Sequence, residues 1–536
     1  MTVYVAEQWT DEEADVLRRY FTNLDEPVFA LVNLPEVVKG ALFARYSRSA
    51  KSLRRLFLDE FLGDLDISGD DTIDATIGLA HAEKLYHRIF FEYGDDSVAQ
   101  LGGVHLACEQ ASNILTKVLE WGRLMSYLEQ STRYIAYDAR IGGRYRYYRD
   151  PEVLQSSLGT RYVGDMDRIF DTYADMIGPM QEYVRSQFPK HENDSDLVYR
   201  QAVKAKAFDS LRGLLPAASI SNVGIYGTGQ GYEALLLRMR SHPLPEARYY
   251  ADLMLRELRK VIPSFLERVD REDRGVVWSD YLEETREETA ELTEVLLPAG
   301  TVADPAPLVR LVDHDPDAEI KMVASMMYPH THLPEDQIER RVAAMGIEDR
   351  LAVIRSYVGD RQNRRHKPGR ALERPFYRFD VLVDYGAFRD LQRHRMMTVE
   401  WQQLCPYHGY TRPELVDAAG MTDRFDDAME RSASLHDALV EDFPDQAPYA
   451  VSLAYKIRFS MNLNAREAMH MLELRTTPAG HPAYRQVGQE MHRLIADEAG
   501  HHAVAEMMRF VDHSPETDLE RLQSERRGEQ RREQSS

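Results

Sequence analysis

The feature that most constrains this chain is a signature that occurs twice and is incomplete both times. Arg393-His394-Arg395 is followed by Met396, Met397 and Thr398 and then by an unrelated run through Gln403 and Cys405 to Pro406. Trp121-Gly122-Arg123 is followed by Leu124, Met125 and Ser126 and then by Glu129, Ser131, Arg133 and Tyr134. The later copy keeps a basic triplet and loses the tail, whereas the earlier one loses Arg-His and keeps the tail. Joined, they spell Arg-His-Arg-x-x-Ser-x-x-Glu-x-Ser-x-Arg-Tyr. A chain built this way is expected to fold as two related domains, each holding part of one site.

Length agrees, because 536 residues exceed what one ordinary core organises. The net charge of −22 argues against a general affinity for nucleic acid. Cys108 and Cys405 are too few for a disulfide framework or a cysteine-rich zinc site, and they suit a reducing cytoplasm. No basic-then-apolar leader opens the sequence, and no apolar run reaches the roughly 20 residues of a membrane helix. The expectation is a cytoplasmic protein with no membrane association.

Along the chain, Leu31 to Tyr46 and Leu311 to Tyr328 share a pattern of short strand, acidic turn with proline, and amphipathic helix. The segment Leu297 to Pro307, rich in proline, glycine and alanine, follows an acidic helix and reads as a linker. The expected organisation is a first domain over 1–293, a linker over 294–308, a second domain over 309–514, and a frayed or disordered tail over 515–536. Phe379 to Tyr385 alternates as a strand, and Ala387 to Arg395 reads as a helix carrying the basic triplet. Segments 96–125, 196–215, 244–271, 426–444, 449–475 and 482–512 read as mainly helical.

Successive side chains on a helix point about 100° apart, so Arg393, His394 and Arg395 cannot all face one small group. Spread around a helix end they suit an extended polyanion such as a dinucleotide pyrophosphate, and a solvated basic turn is the other reading. Glu129, Ser131 and Arg133 alternate, which in an extended loop places a carboxylate, a hydroxyl and a guanidinium on one side, fit for a phosphate and a sugar edge. Ordinary polar alternation at a strand start is the alternative there.

The joined signature resembles that of the flavin-dependent thymidylate synthases. Further matches are Asn464-Ala465-Arg466 with His470 and Leu474-Arg475, Arg212-Gly213-Leu214-Leu215-Pro216, and Leu237-Arg238 in the first half. The resemblance implies an α/β (α+β) fold of two homologous domains, each a small sheet flanked by helices. It implies FAD as cofactor, bound by Ser97, Arg393, His394, Arg395, Asn464, Arg466 and His470. Deoxyuridylate would be bound by Glu129, Ser131, Arg133, Arg212 and Arg389, with Arg475 and its counterpart Arg238 as catalytic groups. Methylenetetrahydrofolate would donate the carbon unit and NADPH the electrons. The family is tetrameric, so a fused pair is expected to form a homodimer. Asp390 departs from the family's glutamine, and Asp95-Asp96-Ser97 from its His-x-Ser.

Two other functions stay open at this level. A catalytically degenerate homologue could keep the fold as a nucleotide- or flavin-binding module. A carboxylate-bridged di-metal protein could use Glu467-x-x-His470 and Glu498-x-x-His501, each pair on one helix face, with Glu430 and Glu441 as bridging candidates.

Overall fold

The computed structural model describes residues 7–62 apart from 22, 26–30, 37, 40–41, 43–50 and 61, residues 100–297 apart from 101, 134 and 141, and residues 305–535 apart from 516–518 and 520. Strict alternation makes its central strand. In Lys456–Asn464 every second residue, Ile457, Phe459, Met461 and Leu463, is buried. This strand, β7, lies within a stretch that the sequence reading gave to helix. It is flanked by β5 (Phe376–Asp384) and β6 (Met397–Trp401), and β4 (Val309–His314) adds to β5 in the antiparallel order β4-β5-β7-β6. The earlier sheet holds β1 (Gly103–Ser112), β2 (Ser126–Glu129) and β3 (Ile220–Thr228) in the order β1-β3-β2. β1 likewise replaces part of an expected helix.

The duplication is visible in these orders. β1-β3-β2 repeats β5-β7-β6, strand for strand. A short helix follows the first strand of each set, Asn113–Leu119 and Tyr385–Leu391. These helices begin 272 residues apart, which brings Trp121, Gly122 and Arg123 to the positions of Arg393, His394 and Arg395. The fold is therefore mixed α/β, with two small antiparallel sheets flanked by helices.

The chain packs as two compact units. The smaller contains Met1–Glu109, Leu124–Glu129 and Asn222–Ala299, and the larger contains Gln110–Arg123, Gln130–Ser221 and Gly300–Ser536. Compactness thus follows packing rather than the repeat boundaries, since much of the first half belongs to the larger unit. Within that unit the halves meet symmetrically. Ala217 N–H donates to the Val451 carbonyl and Leu453 N–H to the Leu215 carbonyl, with Pro216 bridging to Ser452. With the 236-residue offset between β3 and β7, these two bonds are one bond written twice, the mark of an isologous contact. The long helix Gly159–Gln187 packs on Thr422–Leu439 in the same unit.

The tail, expected to fray, forms the helix Leu522–Ser535 in the larger unit. Arg526 reaches Asp194 at 2.6 Å, and Ser195 Oγ donates to Glu529 at 2.6 Å. Among the described residues no helix is long and apolar enough to cross a membrane.

Candidate functional site

The helix after β5 stops at Leu391, so the basic triplet sits in the turn leading to β6 and not on the helix as expected. Asp384 caps that helix by accepting from Ala387 N–H at 2.9 Å, and this fixes where the turn emerges. The turn separates the three side chains: His394 points inward and is buried, whereas Arg393 is exposed and Arg395 half-buried.

His394 is held from both sides. Arg475 Nε–H donates to its Nε2 at 3.0 Å, so Nδ1 carries the proton and donates to Glu467 Oε1 at 3.0 Å. Glu467 is set in turn by Asn464, whose side-chain oxygen caps helix Ala465–Arg475 by accepting from Glu467 N–H at 2.9 Å. His470 Nδ1 lies 3.4 Å from the second Glu467 oxygen. The result is a relay, Asn464 to Glu467 to His394 to Arg475, which fixes the guanidinium of Arg475. Burial pushes the His394 imidazole down to about 4. Burial would raise the Glu467 carboxyl, but the bonds to His394 and His470 hold it at about 2.

Burial of neutral histidine has a consequence for stability. His394 and His501, the latter paired with the Tyr377 hydroxyl at 2.9 Å, are both held near 4 by burial, against an ordinary value of 6.5. The unfolded chain takes up these protons as pH falls through 6.5, and the folded chain only near 4. Folding stability is therefore expected to be intact above pH 6.5 and to fall between pH 6.5 and 4, by up to about 1.4 kcal/mol per pH unit for each histidine. Urea unfolding at pH 7, 6, 5 and 4.5 checks this, and a flat profile would contradict it.

Around Arg475 the larger unit gathers arginines from both halves. Arg212 sits 3.5 Å from Asp390, with Arg393 at 3.7 Å and Arg475 at 3.9 Å from the same carboxylate. Burial works against the charge of Asp390, yet Arg393, Arg212 and Arg475 hold its carboxyl well below the usual range. Arg133 grips Asp209 through two bonds of 2.8 and 2.6 Å and donates to the Tyr484 hydroxyl at 3.0 Å. The Tyr484 ring lies 5.5 Å from the Arg475 guanidinium carbon and 5.9 Å from that of Arg133. Arg123 donates to Thr398 Oγ1 at 3.0 Å, so the degenerate triplet touches strand β6, which follows the intact one.

Arg133, Arg212, Arg393, His394, Arg475 and His470 thus come together. Ser131 adjoins them: its hydroxyl accepts from Arg133 N–H at 3.2 Å, so this stretch is a turn rather than an extended loop. Arg389 is buried in its helix. Asn464 spends its side-chain oxygen on capping, and Arg466 bonds Glu373 at 3.2 Å and the Pro368 carbonyl at 3.2 Å. Glu129 and Arg238 belong to the smaller unit, and Ser97 lies outside the described residues. Counted from their caps Thr228 and Asn464, the helices place Met239, not Arg238, at the position of Arg475.

Sequence reasoning missed Asp209 and Tyr484, which carry no local signal, and gave Glu467 a different role. The di-metal arrangement fails on geometry. Helix Pro482–Asp497 ends before Glu498, and Gly500 has a positive φ, so Glu498 and His501 do not share a helix face. Glu430 and Glu441 are exposed. Donor atoms of His394, Glu467 and His470 do lie within 4.8 Å of one another. The Arg475 bond, however, puts a proton on His394 Nδ1, where a metal would need a lone pair.

Fold and cluster define a fused pair of small-sheet α/β halves that pool arginines around Asp390. The thymidylate synthase complementing protein family matches residues 44–264 and again 310–501, and the chain belongs to that family. It is 39% identical to a UPF0159 protein of Chlamydia muridarum over 97% of this chain and 98% of that one. Identity to a UPF0159 protein of Chlamydia pneumoniae is also 39%, over 98% of each. A UPF0159 protein of Thermoplasma acidophilum is 29% identical over 88% of this chain and 95% of its own length.

Proposed function

We propose that this chain is a flavin-dependent thymidylate synthase or a close relative, with one composite site in the larger unit. The observation that carries the reading is the relay-fixed Arg475 facing first-half Arg133 and Arg212. The residues present fit a flavin dinucleotide. Exposed Arg393 and half-exposed Arg395, Arg466 and His470 suit a pyrophosphate, and Lys367 lies within electrostatic reach of Arg364, Arg466 and Glu467. FAD, when bound, would supply the redox and one-carbon chemistry between methylenetetrahydrofolate, NADPH and deoxyuridylate.

The protein's own part is binding and charge. Arg475 donates Nε–H to His394, which fixes its guanidinium so that its Nη groups, one of them 3.9 Å from Asp390, would face negative charge developing on a pyrimidine. Arg212 and Ser131 would hold the nucleotide phosphate. A homodimer is the expected assembly.

A second reading has its own support. Asp209 and Asp390 already occupy arginines that would meet a phosphate, as in a homologue that binds nucleotide or flavin without turnover. Purified protein is expected to show flavin absorbance and to form thymidylate from deoxyuridylate with NADPH and methylenetetrahydrofolate. Arg475→Ala should lower that rate by about a hundredfold or more while retaining flavin. Colour without turnover would select the second reading, and neither colour nor turnover would reject both.

A further inference from the structure

Helix Pro482–Asp497 sends three side chains from one face, at i, i+4 and i+7, to the short segment Asp512 to Ser514. Arg485 Nη2 donates to the Ser514 carbonyl at 3.1 Å, and Gln489 Nε2 donates to the Asp512 carbonyl at 2.9 Å. Asp512 N–H donates to Thr476 Oγ1 at 2.9 Å. His513 is therefore pinned on both sides by bonds that do not involve its own ring. The third side chain from the helix is His492, whose Nδ1 stands 3.0 Å from His513 Nε2.

The tautomer of His492 is fixed. Its Nε2 lies 3.0 Å from the Ala505 carbonyl, which can only accept, so Nε2 carries the proton and Nδ1 keeps a lone pair. A ring N–H anchored on a backbone carbonyl is the usual support of a metal-binding histidine. His513 Nε2–H can fill the lone pair as a hydrogen bond. With the His513 proton on Nδ1 instead, two lone pairs face each other across 3.0 Å, an arrangement that a cation between them completes. For metal–nitrogen bonds of about 2.0–2.1 Å, donors at that separation subtend about 90–100° at the metal, the cis angle of a square-planar or octahedral ion. His492 is half-buried and His513 exposed, so water reaches the remaining positions. We propose that His492 Nδ1 and His513 Nε2 bind one divalent transition-metal ion of square-planar or octahedral preference, Ni²⁺ or Cu²⁺. The ion joins the helix to the segment that follows helix His502–Met507. Neither histidine takes part in the relay or the arginine cluster, so the site stands independently of the thymidylate synthase reading.

The test uses the full chain, stripped with EDTA and dialysed, titrated with Ni²⁺ and with Zn²⁺ by calorimetry. One Ni²⁺ per chain is expected, bound more tightly than Zn²⁺, whose tetrahedral angle is wider. His513→Gln keeps an N–H for His492 Nδ1 but supplies no imidazole, so a merely structural pair would survive it. It should weaken Ni²⁺ binding at least about tenfold, and so should His492→Ala. Gln489→Ala leaves both rings in place but releases the Asp512 carbonyl, and it should weaken the ion several-fold. Ni²⁺ should also raise the melting temperature of the wild-type chain and leave that of His513→Gln where it was. No Ni²⁺ binding, Ni²⁺ binding unaffected by both histidine substitutions, or tighter binding of Zn²⁺ would each overturn the proposal.

Discussion

Exchanging Glu473 for alanine is expected to cost about 3–5 kcal/mol of folding stability, the usual penalty for stranding one member of a buried ion pair. Arg361 and Glu473 meet through two bonds of 2.7 and 2.6 Å, with side chains only 2% and 1% exposed. Arg361 also donates to the Met507 and His366 carbonyls, so it cannot leave with its charge when the carboxylate is lost. Glu473 stands on the helix that carries Glu467, His470 and Arg475. Its loss should therefore loosen the relay as well as the fold. Urea unfolding of Glu473→Ala beside Glu473→Gln measures the cost. A change below about 1 kcal/mol in both would mean that the pair contributes nothing beyond what water supplies.

Replacing Asp390 with asparagine should have the largest effect on ligand binding. Its carboxylate stands 3.5–3.9 Å from three guanidiniums, which is close enough to offset one of their three charges and too far for tight bonds. Arg133 and Asp209, at 2.6–2.8 Å, show what a committed pair looks like in the same protein. Asparagine keeps the shape and removes the charge, freeing arginine donors for an incoming anion. A charge-assisted bond is worth about 1.5–3 kcal/mol, so phosphate or deoxyuridylate affinity should rise tenfold to a hundredfold, with little change for uncharged deoxyuridine. Calorimetric titration of all three checks it. An unchanged or weaker affinity for the anions would mean that Asp390 helps the ligand bind rather than standing in its place.

Much of this was legible in the sequence, and the rest was hidden for identifiable reasons. The two partial signatures foretold the duplication, and the structure returns it as matching strand orders and a symmetric contact at Pro216 and Ser452. The alternation of Ile457, Phe459, Met461 and Leu463 was present, but a helix follows it without a break in polarity, and the 449–475 stretch read as one element. Ala387 to Arg395 misled because nothing local says that the helix ends at Leu391. Asp390 stood out as a departure, and the structure gives it a physical role. Asp209 did not, because it meets Arg133 across 76 positions of chain and only packing brings them together. Glu467 and His470 showed the spacing of metal ligands, yet Arg475 turns the same pair into a hydrogen-bonded support by fixing the His394 tautomer.

On the proposed function, both halves build one nucleotide site per chain. In the opposite combination Pro448 stands where Arg212 does, and Met239 where Arg475 does. The direct measurement is the stoichiometry of deoxyuridylate binding by calorimetry for the wild-type chain, first-half Arg212→Ala and second-half Arg475→Ala. One nucleotide per chain, weakened at least tenfold by either substitution, is the expected result. Two nucleotides per chain, with each substitution removing only one of them, would contradict it.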